Sequence, residues 1–228
     1  MKKYVMFSII IMIFHPSLVR CERPAGFSVA DSLYDNKLYL QAIAEYSRFL
    51  SSDGADYALY KIGLSKKEIA EFCVSEDQFD KYPEMYKKKY GDMYQTYLDY
   101  MNYIREHPGQ FWYFEPAAIH VYRGTDFGKL IADYPESDFV DDSAYELLLQ
   151  SRHIDWEGDY RGMLPRIDRC KIFLESYPES DVRDKVIDLC LEDYYNVLHS
   201  WEFPDSLKTK YEKEIEAFKQ RWGRNKSE

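Results

Sequence analysis

From residue 28 almost to the C-terminus, apolar positions recur at intervals of three and four, the spacing of helices with one buried stripe. The pattern predicts helices over 30–36 and 38–51, where Leu40, Ile43, Ala44, Phe49 and Leu50 make the stripe, and over 55–73 beyond the break at Gly54. Tyr86, Tyr90, Tyr94, Tyr97, Tyr100 and Tyr103 predict one helix with a tyrosine face, ended by His107-Pro108-Gly109. That face is either a packing surface or a ligand surface. Shorter helices follow at 116–122 and 126–134. Longer ones follow at 138–153, 165–177 and 181–201, with a loop at 155–162, and a capping helix runs from 204 or 205 to 222. No segment alternates over enough residues to predict a strand.

Within this pattern one phrase occurs twice. Tyr134-Pro135-Glu136-Ser137-Asp138 and Tyr177-Pro178-Glu179-Ser180-Asp181 each close an amphipathic run, 43 residues apart. Leu130-Ile131 and Phe173-Leu174 precede them by the same distance, and Phe49-Leu50 before Gly54 aligns as a third copy. A repeat of this period predicts stacked helical hairpins. In the two Tyr-Pro-Glu-Ser-Asp copies Pro stops a helix, and Ser137, Ser180 or the neighbouring Asp offers an oxygen to the free N–H groups of the next one. Asp138, Asp141 and Asp142, like Asp181 and Asp184, suit the positive end of that helix. Pro135, Ser137, Pro178 and Ser180 are therefore assigned to repeat turns. Residues 76–122 break the period as an insertion.

The N-terminus differs from the rest. Lys2 and Lys3 precede an apolar run over 4–14 with only Ser8 polar, and His15-Pro16-Ser17 ends it. This predicts a signal peptide over 1–20, too short to span a bilayer as an ordinary helix. Leu18-Val19-Arg20-Cys21 resembles the lipobox of bacterial lipoproteins, which implies a mature chain that begins at a lipid-modified cysteine with a tether over 21–27; the alternative is a secreted polypeptide. The chain of 228 residues carries a net charge of −10; removing 1–20 takes away Lys2, Lys3 and Arg20 and leaves −13. Such a balance opposes nucleic acid and anionic lipid surfaces and suits basic or neutral protein partners. The 22 tyrosines suit half-wet helix faces and binding surfaces.

Candidate chemistry is sparse. The chain has no glycine-rich nucleotide motif, phosphate loop, zinc-protease helix or nucleophile elbow, so no cofactor or metal is expected. His153 through Glu157 lacks a second ligand cluster at matching spacing. Cys170 and Cys190 flank the second turn almost symmetrically, as a disulfide or as two small buried thiols. Phe111, Trp112, Tyr113 and Phe114 form the densest aromatic run; exposed, they are a partner-binding hot spot, and buried, they plug the gap beside the insertion.

Tyr39, Ala42, Ile43, Tyr46, Phe49 and Leu50, with Ile62-Gly63 and the phrase from Leu130 to Ala144, resemble tetratricopeptide-type outer-membrane lipoproteins, in particular the BamD/YfiO type of β-barrel assembly components. Asn36-Lys37 stands where that pattern has a helix-breaking glycine, and 76–122 and 155–162 depart from it. The resemblance implies an all-α superhelical stack of antiparallel hairpins over 28–228. It also implies a non-catalytic scaffold, anchored through Cys21 on the periplasmic side of the outer membrane, docking other envelope proteins or client polypeptides. The rival expectations are a periplasmic all-helical carbohydrate-active enzyme, with Glu115 beside the aromatic run, and a solute- or peptide-binding module.

Overall fold

A computed structural model describes residues 26–73, 82–115, 118–154, 160–200 and 203–223. It is mostly helical. Helices α1 (Ser28–Asp35), α2 (Tyr39–Ser47) and α3 (Ala55–Phe72) come first. They are followed by α4 (Pro83–Tyr90), a 3-10 turn, α5 (Tyr94–Glu106) and a hairpin of β1 (Phe111–Phe114) and β2 (Ile119–Tyr122). The remainder is α6 (Thr125–Asp133), α7 (Val140–Ile154), α8 (Tyr160–Ser176), α9 (Arg183–His199) and α10 (Asp205–Trp222). Outside the segment between α3 and α6, each helix packs on the next in sequence. α3 bridges that segment: it packs on α2 and α6, and also on α5 and β2.

α1 ends where the repeat pattern leads one to expect glycine. Lys37 supplies the turn itself, with φ of 61°. Its N–H donates to Tyr34 O (2.8 Å) and the N–H of Leu38 to Leu33 O (2.9 Å), the two bonds of a Schellman cap. The phenol of Tyr100, from α5, donates to Lys37 O at 2.7 Å and holds the left-handed residue in place. Buried Asp31 on α1 accepts from Tyr46 Oη (2.6 Å) and Tyr57 Oη (2.7 Å), so one carboxylate ties α1 to α2 and α3.

Gly63 on α3 makes the next junction. A Cβ there would lie 2.5 Å from Cε1 of Phe127 on α6, so the missing side chain is the seat of that ring. One turn further, Lys66 Nζ donates to Asp126 Oδ2 (2.6 Å), which also accepts the Tyr122 phenol, while the Asp126 N–H donates to Tyr122 Oη (2.8 Å). α3 and α6 are thus adjacent although the excursion through α4, α5 and the hairpin separates them in sequence.

The excursion departs from the sequence expectation in three ways. First, the tyrosine face is divided between two helices. Gly91, with φ of 51°, breaks the run, and the rings of Tyr86 and Tyr97 stack at 5.7 Å and those of Tyr90 and Tyr97 at 4.5 Å. In one straight helix, residues 86 and 97 would stand about 16 Å apart along the axis, so the chain turns back on itself here. Second, the helix expected over 116–122 is not formed in its described part, 118–122. Residues 119–122 form β2, antiparallel to β1, with Phe111 opposite Tyr122 and Phe114 opposite Ile119. Pro116 suggested a helix start, but aromatic and β-branched residues on both sides of a four-residue link favour a hairpin. Third, this hairpin is a strand pair where none was expected.

Two boundaries also move. α8 starts at Tyr160 and carries Pro165 inside it, rather than starting there. Tyr160 is buried edge-on against Phe203 at 5.2 Å and Met163 is buried, so packing retains a turn that proline weakens. α9 ends at His199, before Trp201. α10 matches its expected bounds.

The repeat survives as a repeat of hydrogen bonds. Tyr134 N–H donates to Leu130 O and Tyr177 N–H to Phe173 O, both at 2.8 Å. Val140 N–H donates to Ser137 O and Arg183 N–H to Ser180 O, both at 3.2 Å. Ser137 Oγ accepts from Phe139 N–H (3.2 Å) and Ser180 Oγ from Val182 N–H (3.3 Å). In both copies the serine oxygen accepts the N–H two residues on.

Two stability measurements test these junctions. Gly63→Ala should lose about 1–3 kcal/mol in urea unfolding through overpacking against Phe127. In a Phe127→Leu background the same change should lose much less, or gain, because alanine is the better helix former by about 1 kcal/mol. Lys37→Gly should gain up to about 1 kcal/mol, since it relieves a left-handed lysine at a helix end; a loss would show that the turn is not held as described.

Candidate functional site

The residues singled out in the sequence fall in different places. Cys21 and the signal-like segment lie outside the described residues, as does the stretch 155–159 beyond His153. Phe111 and Phe114 are buried, while Trp112 and Tyr113 are half-buried. Phe111 packs on Tyr122 (5.6 Å) and edge-on against Tyr103 (6.0 Å). The aromatic run is therefore a hairpin filling the space beside α3, and only Trp112 and Tyr113 retain a surface for a partner. Pro135 and Pro178 are exposed at the turns, with Ser137 and Ser180 half-buried beneath them. Ser137 Oγ also donates to Asp56 Oδ2 at 2.6 Å, which joins equivalent turn positions of consecutive units. Cys170 and Cys190 are free thiols, fully buried in one core.

What the sequence did not single out is a polar face across α1, α3 and α7, half-buried except at exposed Glu71. On α3, Tyr60, Leu64, Lys67, Glu68 and Glu71 share one side by helical spacing; on α7, Asp142, Tyr145, Glu146 and Leu149 do. Contacts join the sides: Lys67 Nζ donates to Glu146 Oε2 (2.8 Å), Lys61 Nζ lies 3.5 Å from the centre of the Tyr34 ring, and Tyr39 Oη donates to Glu68 Oε2 (3.1 Å). Tyr60 stacks on Phe139 at 5.3 Å. Where α7 meets the start of α9, Lys185 lies 5.9 Å from the ring of Tyr145.

The electrostatics of this face are unbalanced. Burial, followed by the charges of Asp141, Asp181 and Glu146, pushes the Asp142 carboxyl up to about 6, with Lys185 opposing too weakly to restore it. Burial and then Glu68, Glu146, Asp35 and Glu71 push Tyr34 up to about 12. Tyr60 is raised by burial and then by Asp142 and Glu146. Glu71 is raised by burial and by Glu68 and Glu146, against the pull of Lys67. Asp141 and Asp142 do occupy the first turn of α7 as expected, but at Asp142 burial and repulsion outweigh the helix-start benefit.

Other candidate chemistry is slight. Among the described residues, no group of three His, Cys, Asp or Glu side chains is arranged to hold a metal ion. No described helix is long and apolar enough to cross a membrane. A shallow cavity of about 500 Å³ is lined by Pro178, Glu179, Ser180, Arg183, Arg221 and Trp222, and so has a single carboxylate beside two arginines. Arg183 is engaged by Trp222 O (3.2 Å) and Arg221 by Glu175 (3.0 Å).

Compared with protein families, characterised proteins and solved structures, the chain matches none. The functional reading therefore stands on these residues.

A pH experiment tests the strained carboxylate. In the folded chain Asp142 titrates near 6 against 3.8 in the reference state. The unfolded chain therefore gives up this proton first as pH rises, and the group costs stability between about pH 4 and 6, with the cost constant above that. Asp142→Asn should raise the urea midpoint at pH 7 and leave it nearly unchanged at pH 3.5. A lowered midpoint at pH 7 would mean that the ionised carboxylate is a stabilising partner.

Proposed function

We propose that this chain is a non-catalytic scaffold of the cell envelope, exported, anchored by lipid at Cys21 and built as a tetratricopeptide-like stack. Its acidic, tyrosine-lined face holds a basic stretch of a partner polypeptide, and the assembly of outer-membrane proteins is the setting that the sequence resemblance suggests. The observation that carries the docking half is the burial of Asp142 beside Asp141, Asp181 and Glu146, which raises its carboxyl to about 6, well above the normal carboxylate range.

A cationic side chain from a partner would relieve that repulsion and lower the Asp142 pKa, so part of the binding energy is already stored in the free protein. Tyr34 and Tyr145 already hold Lys61 and Lys185 against their rings beside the carboxylates, a mixture of groups that suits lysine- and arginine-bearing segments. The repeat supports the scaffold reading because stacked hairpins present such faces over several units. The leader pattern before Cys21 supports export and anchoring.

Two labels test the halves separately. A photo-crosslinking residue at position 145 should trap a partner in intact envelopes, and the same residue at exposed Ile172 on α8 should not. The adduct should disappear when Asp141, Asp142 and Glu146 are changed to amides, and weaken at 0.5 M salt, where screening is within about 5 Å. An adduct indifferent to both overturns the docking half. Radiolabelled palmitate should enter the wild type and not Cys21→Ala; its absence from the wild type overturns the anchor and leaves the docking half standing.

A further inference from the structure

Cys170 occupies a defined position in the repeat. Stepping back 43 residues leads to Phe127, and a further 81 leads to Tyr46. The other two units thus place a buried aromatic ring where the third has a thiol. The same steps take Cys190 to Leu147 and Lys66. Neither earlier unit has a cysteine at either position, whereas the third has both, on facing sides of α8 and α9.

Among the described residues those two helices are the most extensively packed pair. Cys170 and Cys190 are each 0% exposed and belong to one core, between Phe173 and Leu174 on α8 and Val186, Ile187 and Tyr194 on α9. Cys170 is the neighbour that acts most strongly on the Cys190 thiol, ahead of burial, so the two side chains lie beside each other in this core. Small side chains at this crossing let the helices approach closely, which is also what a direct sulfur–sulfur bond requires. Cys73, the third described cysteine, lies in a different core with Tyr86 and Tyr97 and does not compete.

We propose that Cys170 and Cys190 form a disulfide that staples α8 to α9 across the second Tyr-Pro-Glu-Ser-Asp turn. The two thiols lose two protons and two electrons, and the electrons cleave an external disulfide oxidant, of the glutathione or dithiol-exchange class, into two thiols. Exchange needs a thiolate with access to that oxidant. In the closed structure neither sulfur has access, and the neighbouring Cys170, followed by burial, holds the Cys190 thiol in its protonated form. The bond is therefore set as α8 and α9 come together during folding, and the same burial then shields it from reduction. The staple closes the loop from 170 to 190, so it acts chiefly by restricting the unfolded chain.

The chemistry is independent of where the protein resides and can be tested on the full chain. Protein unfolded and reduced in urea is refolded into a mixture of reduced and oxidised glutathione, and then mapped by mass spectrometry without reduction. The expected product is one peptide pair linked through Cys170 and Cys190, lighter by about 2 Da than the separate thiols. Its thermal midpoint should stand about 5–10 °C above that of protein refolded with reductant only. Cys170→Ala/Cys190→Ala should refold with a midpoint that no longer depends on the redox mixture. Separate free peptides, glutathione capping of either cysteine, or linkage of either to Cys21 or Cys73 would overturn the proposal. So would a wild-type midpoint indifferent to reductant, a result that needs no variant to fold.

Discussion

The close approach of α3 to α6 organises the rest of the molecule. Gly63 offers no Cβ, Phe127 fills the space, and Lys66, Asp126 and Tyr122 form a buried polar knot one turn away. An excursion of about fifty residues lies between these helices, and bringing its ends together costs entropy that rises only slowly with its length. The excursion also brings its own compensation. Tyr97, Tyr100, Met101 and Ile104 of α5 and Phe111 of β1 bury themselves with Ile69 and Ala70 of α3. α3 thus serves as the wall of the repeat on one side and of the insertion on the other. A side chain at position 63 would disturb both, because Phe127 also packs near Tyr60 (6.0 Å) and Tyr122 (6.0 Å).

Buried charge is handled in the same manner throughout. Lys66 has Asp126, Arg166 has Asp193 across α8 and α9, and Asp31 has two phenol donors. Each joins different helices, and each would leave an uncompensated group if one partner were removed, a loss of about 3–5 kcal/mol for a buried ion pair. These contacts determine which helix faces which more than they add net stability. The apolar clusters supply the bulk of the stabilisation.

The parts of the fold that were legible in the sequence are those fixed by local backbone chemistry. Pro135 and Pro178 end helices whatever surrounds them, and the serine two positions later caps the turn, so the period and the bounds near 134 and 177 follow from residue type. α10 was legible because Tyr211, Ile215 and Phe218 form one stripe on an otherwise charged helix. The misread parts depend on distant partners. Lys37 adopts a left-handed turn because Tyr100, 63 residues away, bonds its carbonyl. Tyr160 extends α8 upstream of a proline because Phe203 covers it. The tyrosine run has the spacing of a single helix, and its reversal at Gly91 is rewarded only when ring meets ring. The hairpin was missed because Pro116 imitates a helix start, although the aromatic content on both sides was a strand signal. The acidic face was least legible, since its members come from α1, α3 and α7 and only packing brings them together.

The same repeat frame separates what the fold requires from what it leaves open. Position 142 corresponds to Lys61 in the preceding copy and to Lys185 in the following one. One site in three successive units thus carries lysine, aspartate and lysine, so the turn and the helix that follow tolerate either sign. Capping does not demand a carboxylate at 142, because Ser137 already accepts the Phe139 N–H. Pairing does not demand it either: Lys185 is near enough to pull on Asp142 but does not offset its burial and its three acidic neighbours. A lysine at 142 would be drawn to the same three carboxylates, and the folded state would gain by it. The aspartate therefore costs stability at neutral pH without structural return. Positions that break a local rule without structural return are where functional groups are expected, although few proteins reach their attainable stability in any case. On this chain that reasoning bears on the acidic face of α1, α3 and α7, where the proposed basic partner would lower the cost of the buried Asp142.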